Sequence, residues 1–116
     1  MSAIDDVLQD AVVPAVAADQ DGIITAVNAP FERVFGWSRA EIVGRPLTTI
    51  IPRSLRDAHN LGFSRFLTTQ RPTLLDRPLR LKTIDKNGRE FDGEHRILAE
   101  RRGAGWIFAA SIRPVE

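Results

Sequence analysis

Residues 28–46 hold the start and stop signals of several short helices, and no other stretch constrains the fold as strongly. Asn28 predicts an N-cap, because its side-chain oxygen can accept hydrogen bonds from the first turn of a helix. Gly36 predicts the end of that helix, since glycine tolerates the left-handed conformation found there. Ser38 and Glu41 have the spacing of a capping box, which begins a second helix. Helices this short must pack on a broad surface, which the rest of the chain has to supply as a sheet.

The first of these helices carries its apolar residues on one side. Phe31, Val34 and Phe35 recur at positions i, i+3 and i+4, which predicts that all three are buried. Pro30 fits the first turn, where its missing N–H is not needed. Gly44 predicts the end of the second helix.

Runs of β-type residues flank this helical block on both sides. They occupy residues 14–19, 23–27, 73–84, 89–101 and 106–112. Asp21-Gly22 predicts a tight hairpin between the first two runs. Hairpins at both ends of the chain favour a single antiparallel sheet with the helices on one face. We therefore predict an α+β domain with five strands.

The turn between the two long strands fixes their register. With Gly88 in the left-handed conformation, a three-residue loop pairs Asp85 with Arg89. The same register predicts four further pairs, which are Lys82 with Asp92, Arg80 with Glu94, Leu81 with Gly93, and Leu79 with His95. The charged pairs then share the face that points away from the helices. A slip by one residue would exchange the two faces, so this register is strongly specified.

Residues 52–69 predict the longest helix. One continuous stripe along it is formed by Leu55, His59, Gly62, Phe63, Phe66 and Leu67. His59 is therefore expected to face inward among apolar residues. Gly62 removes a side chain beside His59, which leaves room for a flat molecule to approach the imidazole.

The first thirteen residues predict an amphipathic cap helix, followed by a single domain at 14–116. Ile4, Val7, Leu8 and Ala11 form its apolar side, which needs a partner. The outward residues of the last strand offer one, either in a second copy of the chain or in the same molecule. We predict a homodimer formed through this helix and the outer sheet face.

Composition excludes several classes of protein. The 116 residues suit one domain and include no cysteine, which excludes disulfides, thiolate metal sites and a cysteine–flavin adduct. A net charge of +1 with scattered basic residues gives no sign of a nucleic-acid partner. No apolar run approaches the roughly 18 residues of a membrane-spanning helix, and no secretory signal is apparent, so we expect a cytoplasmic protein.

Three segments in order resemble the PAS domain family. They are D-G-I-I-T-A-V-N at 21–28, F-G-W-S-R-A-E-I-V-G-R at 35–45, and D-K-N-G-R-E-F at 85–91. The resemblance implies a PAS fold over about residues 15–112, with a five-stranded antiparallel sheet in the order 2-1-5-4-3. It also implies a sensory module rather than an enzyme. Such modules regulate histidine kinases, cyclic-dinucleotide enzymes, chemoreceptors or transcription regulators.

A narrower resemblance covers the predicted long helix. Residues 51–66, I-P-R-S-L-R-D-A-H-N-L-G-F-S-R-F, look like the proximal helix of haem-binding PAS oxygen sensors such as FixL and the direct-oxygen-sensor phosphodiesterases. The resemblance implies haem b, with His59 as the iron ligand and Arg65 beside a propionate. The chain departs from that pattern on the opposite side, where the oxygen-binding arginine of those sensors falls on Leu79. Arg77 instead lies where the phosphodiesterase type has its sixth iron ligand.

These observations predict a pocket between the sheet and the long helix. Its candidate lining residues are His59, Gly62, Phe63, Arg65, Arg77, Leu79, His95, Ile97, Phe108 and Ala110. The pocket would hold haem or another small ligand. Simpler interpretations stay open. His59 or His95 could be a hydrogen-bonded core histidine, and Arg65 and Arg77 could be surface residues. The domain could also have a filled core and serve dimerisation alone. No catalytic constellation is apparent.

Overall fold

The sheet has the predicted topology. A computed structural model describes residues 3–60 and 78–115. Five antiparallel strands lie in the order β2-β1-β5-β4-β3. The strands are β1 Ala15–Asp19, β2 Ile24–Val27, β3 Pro78–Ile84, β4 Glu90–Arg102 and β5 Gly105–Val115. The predicted strand residues 73–77 lie outside the described part of the chain.

The helices are short, as their start and stop signals require. They are α1 Ala3–Leu8, α2 Ala29–Phe35 and α3 Arg39–Ile42, followed by 3-10 turns at Leu47–Ile50 and Arg53–Leu55. Residues 56–60 continue as an α-helix, and the predicted extension to residue 69 lies outside the described residues.

The predicted caps are confirmed. The side chain of Asn28 accepts a hydrogen bond from the Phe31 backbone N–H at 3.0 Å. Ser38 and Glu41 form both halves of the capping box. Gly36 ends α2 with φ at 77°, in the left-handed region. The short-range chemistry of these residues is therefore sufficient to place both helices.

The register of the β3–β4 hairpin is also confirmed at every predicted pair. The charge pairing differs in one respect. Arg80 forms its ion pair with Asp92, at 3.1 Å, although Glu94 lies opposite it. Lys82 reaches the other oxygen of Asp92 at 3.2 Å. Asp92 is the diagonal neighbour of Arg80, and a long side chain can reach a diagonal neighbour as well as the residue directly opposite. The register alone therefore does not identify the partner of Arg80.

The two faces of the sheet carry different cores. The inner face, which meets α2, α3 and the 3-10 turns, packs around Phe31, Phe35 and Ile112. The outer face meets α1, whose Ile4 is 1% exposed and packs against Ala17 and Ala109. The apolar side of α1 therefore finds its partner on the sheet of its own chain, which was the alternative to a second copy.

Three apolar residues on predicted buried stripes are exposed instead. Val34 is 37% exposed, Leu55 40% and Leu81 43%. Periodicity identifies which side of an element faces the core, but it does not say how far the neighbouring elements extend over that side. The prediction that these three side chains are buried is wrong.

Lys86, in the β3–β4 turn, contacts both α2 and α3. The Lys86 backbone N–H donates to the carbonyl of Phe35 at 2.9 Å, and its ammonium group lies 2.6 Å from Glu41 Oε2. The hydrogen bond from Lys86, with smaller contributions from Ser38, lowers the pKa of Glu41 from its ordinary 4.5 to about 2.

This low pKa predicts a pH-dependent contribution of Lys86 to stability. A depressed carboxyl pKa stabilises the folded state above the unfolded pKa, and the effect is lost as the pH falls through the folded pKa. We expect Lys86→Met to lower the melting temperature slightly at pH 6. The difference from wild type should shrink between about pH 4.5 and 2, because Glu41 is then protonated. A difference that stays constant over this range would contradict the assignment.

Candidate ligand-binding site

His95 lies on the inner face of β4, opposite Ile112 of the central strand β5, and is 9% exposed. Its Nδ1 is 2.9 Å from the backbone carbonyl oxygen of Gly93. Because a carbonyl can only accept, Nδ1 must carry the proton, and in the neutral ring Nε2 is then an acceptor. Burial lowers the pKa of His95, and the Gly93 hydrogen bond only partly opposes this. The ring is therefore neutral at pH 7.

Gly93 makes room for this imidazole. A Cβ atom at residue 93 would lie 2.6 Å from Ile112 Cγ2 and 3.3 Å from His95 Cε1. Ile112 is 1% exposed and lies opposite His95 in the register, so it cannot move aside easily. Packing against the Gly93 backbone thus fixes the position of the ring.

Replacing this glycine should damage the inner face. We expect Gly93→Ala to lower the free energy of unfolding by about 1–3 kcal/mol, the usual cost of overpacking a core. Chemical denaturation measures the loss, and Gly103→Ala supplies a control because nothing lies within 4 Å of its added Cβ. Gly103 has a positive φ of 59°, so Gly103→Ala loses stability through backbone strain alone, without a steric clash. A Gly93→Ala protein as stable as wild type would contradict the packing described.

Thr83 is a second buried polar residue on the inner face. It is 1% exposed, and its hydroxyl has no hydrogen-bond partner among the described residues. Its methyl group lies beside Gly93, so it is a neighbour of the His95 ring. A buried hydroxyl without a partner costs about 1–3 kcal/mol, and such groups in native proteins call for an explanation.

Thr83 was not among the site residues predicted from the sequence. Threonine is common in strands, so its presence in β3 carries little information. The available signal was its place in the alternation after Leu79 and Leu81, which put a polar group on an otherwise apolar face.

His59 lies in the helical residues 56–60 and is partly buried. Arg56 anchors the start of this helix, because its Nε donates to the carbonyls of Thr48 at 3.1 Å and Ile51 at 3.0 Å. Burial lowers the pKa of His59, while the side chain of Asn60 opposes the shift. A lowered pKa favours the neutral imidazole, which is the form of histidine that can bind a metal ion.

The structure brings part of the predicted site together. Leu79 lies opposite His95, and Ile97 lies opposite Ala110 on the same face. Phe108 is buried at the far end of that face. Four predicted lining residues lie outside the described part of the chain, and they are Gly62, Phe63, Arg65 and Arg77. Within the described residues, no group of three or more His, Asp or Glu side chains is arranged to hold a metal ion.

The model of the PAS family, described as the PAS fold, matches residues 3–109. The chain therefore belongs to the PAS family, whose members are generally sensory modules. None of the helices in residues 3–60 and 78–115 has both the length and the apolar character that crossing a membrane demands.

Two relatives and one solved structure illustrate this membership. An uncharacterised protein of Azorhizobium caulinodans is 31% identical over 109 residues, which are 93% of this chain and 15% of that protein. The sensor protein FixL of Bradyrhizobium diazoefficiens is 33% identical over 60 residues, covering 52% of this chain and 12% of FixL. A PAS domain from Colwellia psychrerythraea has a TM-score of 0.74 at 14% identity, with 96% of this chain and 92% of that chain covered. The chain thus spans less than a sixth of these two curated relatives, and the structural likeness shows the fold alone.

Proposed function

We propose that this domain is a sensory module that binds a small molecule against the inner face of its sheet and regulates an output domain. The observation that carries the proposal is the pair of buried polar groups on that face. Thr83 has an unused hydroxyl, and His95 presents the acceptor Nε2 of a neutral ring. A bound molecule that hydrogen-bonds to the Thr83 hydroxyl would offset the cost of burying it, and a donor on the same molecule would suit Nε2 of His95.

We infer the kind of output domain from the PAS family and from the relatives of this chain. PAS modules occur in sensor proteins, and FixL carries a related segment within a much longer chain. A histidine kinase, a cyclic-dinucleotide enzyme, a chemoreceptor or a transcription regulator would each be a suitable output. A change in packing between the sheet and the helical layer would be the signal that reaches it.

Native mass spectrometry of freshly purified protein tests the proposal. We expect a population with added mass that is released on denaturation, and we expect Thr83→Val to retain less of it. Valine has the shape of threonine without the hydroxyl, so the variant isolates hydrogen bonding from packing. Wild-type protein that shows only the bare chain mass, including after incubation with a cell extract, would contradict the proposal.

Haem is the specific ligand that His59 favours. Two observations support it: the His59 imidazole is partly buried with a lowered pKa, and the chain is related over 60 residues to FixL. Haem would supply an iron centre for gas binding or redox chemistry, with His59 as its axial ligand. A Soret band after haem addition that is lost in His59→Ala would support this version. A band unchanged in that variant, or none at all, would end it.

A domain that only dimerises is the competing function. The apolar side of α1 is already used within its own chain, so the predicted homodimer would have to form through the exposed side of α1 and the uncovered outer face. Light scattering coupled to gel filtration measures the oligomeric state. A dimer that retains no ligand under any condition would favour this alternative over a ligand sensor.

A further inference from the structure

An open cleft lies on the outer face, on the opposite side of the sheet from His95. Its volume is about 260 Å³, which suits a molecule smaller than a typical drug. Four side chains of β4 and β5 form its floor as a two-by-two grid. Glu94 lies opposite Arg113, and Arg96 lies opposite Ser111.

The wall of this outer cleft is the loop that follows α1, and hydrogen bonds hold it in shape. The Asn28 side-chain amide donates to the carbonyls of Asp10 at 3.2 Å and Val13 at 2.9 Å. The Asp10 carboxylate accepts from the backbone N–H groups of Val12 at 2.7 Å and Val13 at 2.8 Å. These bonds lower the pKa of Asp10, so the wall presents a fixed negative charge. A site shaped in advance loses less entropy when a ligand binds.

The charges around the outer cleft are balanced. Two arginines and two carboxylates line it, so a simple anion or a simple cation would meet repulsion as well as attraction. Glu94 and Arg113 lie opposite each other in the register, with no ion pair between them. The charge of Arg113 also contributes to the lowered pKa of Asp10, so both signs of charge lie close together in the cleft. Val7 and Val13 add an apolar edge. A small molecule with both charges and an aliphatic group matches all three features.

We propose that the outer cleft binds a zwitterionic α-amino acid with an aliphatic side chain. Its carboxylate lies against Arg113, its ammonium group lies against Glu94 and Asp10, and its side chain contacts the two valines. The guanidinium group suits a carboxylate because it offers two parallel N–H donors. Because the ligand bridges the loop and the sheet, binding would also hold α1 on its own sheet. The site is independent of the inner-face function proposed above.

L-Leucine is the probe, and amide chemical shifts in ¹⁵N-labelled protein are the measurement. We expect the Val13 and Ser111 signals to move with a dissociation constant in the millimolar range or tighter, as for a small ligand in an open site. Two analogues test the charges separately. 4-Methylpentanoate lacks the ammonium group and leucinamide lacks the carboxylate, so each should bind at least about tenfold more weakly.

Variants on the same face locate the site. Arg113→Gln should weaken leucine binding at least about tenfold, because a neutral amide replaces one guanidinium. Arg80→Gln is the matched control, since Arg80 lies on the outer face outside the cleft and should leave binding unchanged. Both positions are exposed, so both variants should fold. No shift at about 20 mM leucine, equal binding of the analogues, or equal effects of the two variants would each overturn the proposal.

Discussion

Replacing Phe35 by alanine should cost about 3–5 kcal/mol of the free energy of unfolding, the usual loss for a buried phenylalanine. Phe35 is 0% exposed, its ring stacks on Phe31 at 4.3 Å between centroids, and it contacts Phe91 at 5.3 Å. It thus joins α2 to β4 across the inner core. Small domains are stable by about 5–15 kcal/mol, so the loss is a large part of the total.

Val34→Ala in the same helix is the matched control for Phe35→Ala. Val34 is 37% exposed, and alanine is the better helix former, so its effect should stay within about 0.5 kcal/mol. Urea denaturation compares both variants with wild type. Similar losses at the two positions would mean that α2 faces the sheet differently from the structure described here.

Asn28→Ala should cost about 3 kcal/mol, which is more than the loss of an ordinary helix cap. The Asn28 oxygen accepts from the backbone N–H groups of Phe31 at 3.0 Å and Ala15 at 2.9 Å, and Ala15 is fully buried. The amide nitrogen holds the loop carbonyls of Asp10 and Val13. Alanine removes the cap of α2 and leaves a buried donor at the start of β1 without its partner.

Asn28→Asp distinguishes the hydrogen bonds that the Asn28 oxygen accepts from those that its amide nitrogen donates. Aspartate keeps the acceptor oxygen for the two N–H groups but loses the donor and places a charge beside two carbonyls. We expect an intermediate loss of stability, together with larger amide shifts in the loop at residues 10–13 than in α2. A loss as small as about 1 kcal/mol in Asn28→Ala would mean that Asn28 acts only as a helix cap.

Local chemistry made much of the fold predictable. Asn28, Gly36 and the Ser38–Glu41 box act within a few residues, so their effects could be inferred without knowledge of the fold. The hairpin register followed from Gly88, because turn geometry and the alternation of faces leave a single consistent pairing. The strand order came from the resemblance to PAS domains, and no pattern in the sequence specified it alone.

The features of the fold and of the site that were not predicted depend on contacts between distant segments of the chain. The exposure of Leu55 and Leu81 depends on what lies above them, and helical or strand periodicity contains no such information. The partner of α1 could be its own sheet or a second copy, because both offer an apolar surface of the same kind. Thr83 looked like an ordinary strand residue until its burial and missing hydrogen bond were known.

The inner face as a ligand site is tested most directly by comparing two samples of the same protein. Amide spectra of freshly purified domain and of domain that has been unfolded, dialysed and refolded report where a lost molecule was bound. We predict that the changes cluster at Thr83, His95 and Ile112, and that Arg80 and Lys82 on the outer face stay unchanged. Superimposable spectra, or changes confined to the outer face, would contradict the account.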